Sequence, residues 1–185
     1  MAEYYLISQL PSLDGISEGA PLPITEERFF ELCCRHLGKK PLIDALNSLT
    51  LLPEKFSGTS RYPIVDAWNE GERVLRLALG KVRSERMKKP FDTENAFFSP
   101  RLLQSVSDAC GSSDPMEAEK MLAGIRLEFL ESLRPADGFS DEYLLYYGLK
   151  LKLMERMKRF DTEVGKAAYK SIYASVMSGG SEVEQ

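Results

Sequence analysis

Histidine is almost missing from this sequence: in 185 residues His36 stands alone. Cysteine is scarce, with Cys33, Cys34 and Cys110 making an odd set of which two are adjacent. A tetrahedral zinc site draws four ligands, usually from spaced pairs, and neighbouring helical residues point about 100° apart. Cys33, Cys34 and His36 therefore read as small buried thiols and an imidazole on a helix, with no metal and no nucleophilic triad. Adjacent cysteines rarely pair, so a reduced, cytoplasmic setting is expected. The glycines stand singly apart from Gly179-Gly180, which leaves no glycine-rich loop to cradle a phosphate. The start, MAEYYLISQLPSLDG, lacks the basic region of a secretory signal. No apolar run approaches the ~20 residues that span a bilayer, so direct membrane insertion is not expected. Positive charge is in deficit too: 24 Lys and Arg face 28 Asp and Glu, a net charge of −4, which argues against a nucleic-acid partner. The carboxylates are scattered on polar helix faces, the ordinary place for solvated charge. The expectation is a chain that is not an enzyme and holds no cofactor; a small enzyme using those carboxylates is the minority reading.

What is present is helical periodicity. With 43% hydrophobic and 28% charged residues the chain has the balance of a folded globule, and its length suffices to bury a core. Residues 3–10 are apolar but too short for periodicity to separate a strand from the first turn of a helix. After a loop over 14–23, Thr25 is an N-cap, with Glu26 and Glu27 in the first turn and Gly38 as the stop. Pro41 opens a short helix through Leu49, and a polar loop follows to about Tyr62. Pro63 to about Lys89 is the strongest helix, closed by Pro90. Ser99-Pro100 and Asp114-Pro115 each pair an N-cap with an N1 proline, predicting helices to Ala109 and Leu133. Ser140, with Asp141 and Glu142, caps a last helical region that runs past Gly148, bends near Phe160-Asp161 and ends near Met177. The sum is an all-α chain, a helical bundle of six or seven helices: one domain over 1–178 and a disordered tail over 179–185.

Two surfaces rise above this background. On the long helix, Asp66, Glu70 and Glu72 come first and Lys81, Arg83, Arg86, Lys88 and Lys89 last, in the order that suits the helix dipole. Arg76 and Arg83 are a heptad apart beside an apolar face of Leu75, Leu79 and Val82, and are candidate contacts for an acidic partner. In the last helix, FSDEYLLYYGLKLKLMERMKRFDTEVG, apolar residues cover more than half the circumference. That pattern predicts a central packing helix with its tyrosine hydroxyls and lysine ammoniums reaching outward. Lys150, Lys152 and Arg156 are the candidate contacts there. Part of the same stretch, ERMKRFDTE, echoes ERMKKPFDTE at 85–94, as two similar helix ends would.

The segments YYLISQLPSL, ITEERFFELCCRHLGKKPLIDALNSLTLLP, DAWNEGERVLRLALGKVRSERMKK and FSDEYLLYYGLKLKLMERMKRFD together resemble an uncharacterised bacterial family encoded beside V-type ATP synthase genes. The acid-capped helix with paired aromatics followed by a leucine-rich helix is also distantly similar to the lobes of the V/A-type ATPase C subunit, the d subunit of the vacuolar enzyme. The resemblance implies a non-catalytic, all-helical socket, here shortened, between the membrane ring and the central stalk. It implies rotor subunits as partners and a cytoplasmic place peripheral to the membrane. A free-standing helical binding or regulatory module is the alternative.

Overall fold

The computed structural model describes residues 2–16, 20–53, 60–93, 96–159, 169–170 and 172–173. Within them the regular elements are helices: α1 (Ala2–Gln9), α2 (Glu26–His36), α3 (Lys40–Ser48), α4 (Pro63–Met87), α5 (Pro100–Gly111), α6 (Pro115–Ser132) and α7 (Asp141–Lys158). The all-α class follows from local chemistry. Each side chain expected to cap a helix does so: Thr25 accepts from the Arg28 N–H, Ser99 from Leu102, Asp114 from Met116 and Ser140 from Tyr143. Prolines open α4, α5 and α6, where a missing N–H costs nothing.

The ambiguous run at the start is helix α1, with Leu6 fully buried. No strand lies among the described residues for it to pair with, so the extended alternative has no ladder to join. The long helix ends at Met87, two residues early, because Lys88 adopts the left-handed conformation at φ 52°. The Lys89 N–H then bonds back to the Ser84 carbonyl at 3.0 Å, satisfying a carbonyl the helix end leaves open. The expected bend near Phe160-Asp161 and the tail lie outside the described residues, as does most of the extension toward Met177.

Packing divides into two cores. The larger gathers Leu6, Phe29, Cys33, Leu42 and Leu46 from α1 to α3, Ile64 and Trp68 from the start of α4, Leu130 from the end of α6, and α7. Every residue of α7 from Leu144 to Leu151 is buried, and Leu153 with them, which is the central packing role the apolar circumference predicts. The smaller core joins Leu75, Ala78, Leu79 and Val82 of α4 to Val106 and Ala109 of α5 and Leu122 of α6. Helices α4 and α6 run through both.

The path from α4 to α5 positions the site. After Lys88 the chain doubles back along α4. Phe91 lies so close to Gly80 that a Cβ there would sit 2.2 Å from the ring, and Phe97 reaches the neighbourhood of Gly71 and Leu75. α5 then runs alongside the second half of α4, with Arg86 donating to the carbonyls of Ser107 and Cys110 at its far end. Residues 88–93 and 96–99 thus belong to a return strap. α6 comes back antiparallel, laying Phe129 on Gly71, where a Cβ would be 2.0 Å from the ring.

Candidate functional site

The five cations proposed as partner contacts have different fates. Arg83 is exposed and has no ion pair or hydrogen-bonded partner among the described residues. The same holds for the side chains of Lys88 and Lys89 just beyond it. Arg76 is exposed as well, donates to the Pro53 carbonyl at 2.5 Å and stands 4.0 Å from Glu72. Arg156 is half-buried and 3.5 Å from Glu119 on α6. Lys152 is tied to Glu26, while Glu155, one turn on, accepts the Glu26 N–H at 2.8 Å. Those two residues of α7 stitch down the first turn of α2.

Lys150 is the clear departure. It does not reach outward: its side chain is 7% exposed and is held between Asp14 at 2.5 Å and Glu131 at 2.6 Å. Around it Tyr146 donates to Glu131 at 2.8 Å, Arg134 pairs with Asp14 at 3.2 Å, and Tyr147 donates to the Pro11 carbonyl at 2.8 Å. The hydroxyls of Tyr146 and Tyr147, expected at the surface, are therefore used inward. Burial alone would lower the pKa of the Lys150 ammonium, but the hydrogen bonds it donates to Asp14 and Glu131 outweigh it and push it up to about 12. Tyr146 is raised to about 12, by burial first and by its bond to Glu131 second. The hydrogen bond from Lys150 is the main cause that holds Asp14 below its usual range. The cluster clamps residues 11–14 onto α6 and α7.

Cys33 is buried, as expected, and burial raises its thiol to about 12, with Cys34 adding a little. Cys34 is exposed, correcting its assignment as a buried thiol, because the next helical residue turns away from the face Cys33 packs. His36 rests against Tyr5 with ring centroids 5.3 Å apart.

The principal surprise is Glu72, expected on a solvated face and in fact 2% exposed. Arg126 of α6, 7% exposed, donates to it through Nε at 2.6 Å and Nη2 at 3.3 Å. This bidentate pair sits between Trp68 and Leu75 on α4, at the waist where the two cores meet. It was legible in principle. The buried positions of α4 run 64, 68, 72, 75, 78, 79 and 82, so Glu72 occupies a slot in an otherwise apolar stripe. Arg126 does the same after Leu122 and Ala123 and before Leu130.

Above the pair opens a groove of about 500 Å³. Its walls are Val74 and Leu75 of α4, Leu102 of α5, Ile125 and Phe129 of α6, and Phe97 of the strap, which is 86% exposed at the edge. Its charged lining residues are Glu70, Glu72 and Arg126. A mostly apolar concavity with a few polar groups has the character of a place that holds something.

No family model matches this sequence, and neither a curated protein nor a solved structure was found to match it.

Proposed function

We propose that this protein is a non-catalytic helical adaptor that docks on an acidic protein surface through the basic end of α4. The carrying observation is the exposed group Arg83, Lys88 and Lys89, three cations without partners among the described residues, in a chain whose net charge is −4. Exposed charges that stabilise nothing within the chain are free to steer and orient a partner, and opposite charge on that partner gives speed and register. Arg76 stands on the same helix as a further contact. The resemblance noted above supplies the partner to test first, the V-type ATP synthase rotor, with this chain in the C-subunit position between membrane ring and central stalk. Among the described residues no helix is long and apolar enough to cross a membrane, so attachment there would go through the complex.

Tagged protein purified from cells that make the complex should bring rotor subunits with it. The triple reversal Arg83→Glu, Lys88→Glu, Lys89→Glu should lose them, and raised salt should weaken the association. Recovery of the wild-type protein free of every ATPase subunit would sink the rotor assignment. Retention of partners by the triple variant would sink the basic surface.

A further inference from the structure

Positions 76, 80, 83 and 87 of α4 follow one another at helical spacing, so they share one stripe, about 16 Å long at the usual rise per residue. Arg76 and Arg83 are exposed on it, and Met87 ends it at 59% exposed. Gly80 has no side chain, and the ring of Phe91 from the strap takes that place, so close that a Cβ on Gly80 would meet it at 2.2 Å. Phe91 is itself 44% exposed. The stripe therefore presents to solvent a guanidinium, an aromatic ring, a second guanidinium and a thioether, in that order.

Its charge is of one sign. Arg83 has no ion pair or hydrogen-bonded partner among the described residues. Arg76 donates to the Pro53 carbonyl, and the carboxylate 4.0 Å from it, that of Glu72, is already held by Arg126. Lys88 and Lys89 extend the positive charge past the helix end, Asp92 is the one acid among the strap's described residues, and Glu85 lies in the hollow between α4 and α5. A second copy of this chain is a poor occupant, because two such stripes would bring four arginines together with no acid on either. An anionic bilayer fits less well than a protein: the apolar groups alternate with the arginines instead of forming a face of their own, and the whole chain carries a net charge of −4.

We propose that this stripe receives an amphipathic acidic helix of a partner protein, with Glu or Asp over Arg76 and Arg83 and apolar side chains over Phe91 and Met87. This rests on the reading of the basic end of α4 as a docking surface and adds the shape of what docks there. A partner helix with acids and apolar residues alternating at the same spacing matches the stripe in either direction, as helices packed nearly in line do. The carboxylate–guanidinium pairs fix the register, and the apolar pairs supply burial that exposed ion pairs lack.

The probe is a synthetic helical peptide of three heptads with Glu and Leu alternating at spacings of four and three residues. A second peptide has Ser in place of every Leu. Titrated into the nitrogen-15-labelled full chain, the first should shift the amide resonances of Arg76, Gly80, Arg83 and Met87, and the second should bind about tenfold more weakly. The double variant Met87→Ser, Phe91→Ser should lose about the same factor toward the first peptide while keeping its helical circular dichroism. Unmoved amides along the stripe overturn the proposal. So does equal affinity for the Ser peptide, or undiminished binding by the folded double variant, since charge alone would then be read. Phosphatidylserine vesicles that shift these amides where the peptide does not would assign the face to a lipid surface and overturn it too. Co-purification of rotor subunits and its loss in the triple charge reversal do not depend on either peptide, so failure of the helix is distinguishable from failure of the basic surface.

Discussion

At the scale of single residues, the buried Glu72–Arg126 pair stands apart from the apolar core around it. Breaking a buried, bidentate ion pair strands the surviving charge, at a cost of about 3–5 kcal/mol, whereas replacing both partners with apolar residues of similar size is often neutral or stabilising. Glu72→Ala and Arg126→Ala should therefore each lower unfolding free energy by roughly 3 kcal/mol or more in urea, while Glu72→Leu with Arg126→Met should come close to wild type. If the single variants cost less than about 1 kcal/mol, the pair is not desolvated as the structure has it. The stripe on α4 showed that position 72 faces inward. What it could not show is the partner, since Arg126 is 54 residues away and the pairing exists only once α4 and α6 cross. Arg83, by contrast, was readable as a surface cation because both its neighbours on the helix face and its own exposure follow from the period alone.

At the scale of elements, caps and prolines carried most of the information. Four of the helices begin where a Ser, Thr or Asp side chain can accept an orphan N–H, and these starts need nothing from the rest of the chain. The return strap was not legible, because Pro90 announces an end and says nothing of the direction taken afterwards. Nor was the inward use of Lys150, whose partners Asp14 and Glu131 come from a loop and another helix. That clamp has a pH signature. Lys150 and Tyr146 both have raised values in the folded chain, up to about 12 from ordinary values of 10.5 and 10.0. For groups shifted upward, the stabilisation is intact below the unfolded value and lost as pH climbs through the folded one. The denaturation midpoint should thus hold to about pH 10 and fall between about 10 and 12, and Lys150→Met, already weaker at neutral pH, should fall less across that window. Asp14 has the opposite sign: its contribution is present above its ordinary 3.8 and disappears as pH drops through its depressed value. An alkaline limb identical in wild type and Lys150→Met would show that the ammonium is not part of the clamp.

At the scale of the whole molecule, the two cores are unequal. The larger surrounds α7 on all sides, while the smaller rests on a few residues of α4, α5 and α6 roofed by the strap. Local opening follows the density of buried apolar contact, so amides of α5 should exchange with deuterium well before those of residues 144–153, whose protection should approach the limit set by global unfolding. Equal protection in α5 and α7 would mean that the waist transmits cooperativity fully and that the two cores open as one.

The only tryptophan in the sequence lies at that waist. Trp68 is 1% exposed, its Nε1 donates to the Thr50 carbonyl at 3.3 Å, and its ring stacks on Phe129 with centroids 6.2 Å apart. Since Phe129 is also a wall of the groove, the indole is one ring removed from anything that enters there. The protein therefore carries its own optical gauge: one emitter, blue-shifted while the waist is dry, with no second indole to obscure a change in its spectrum.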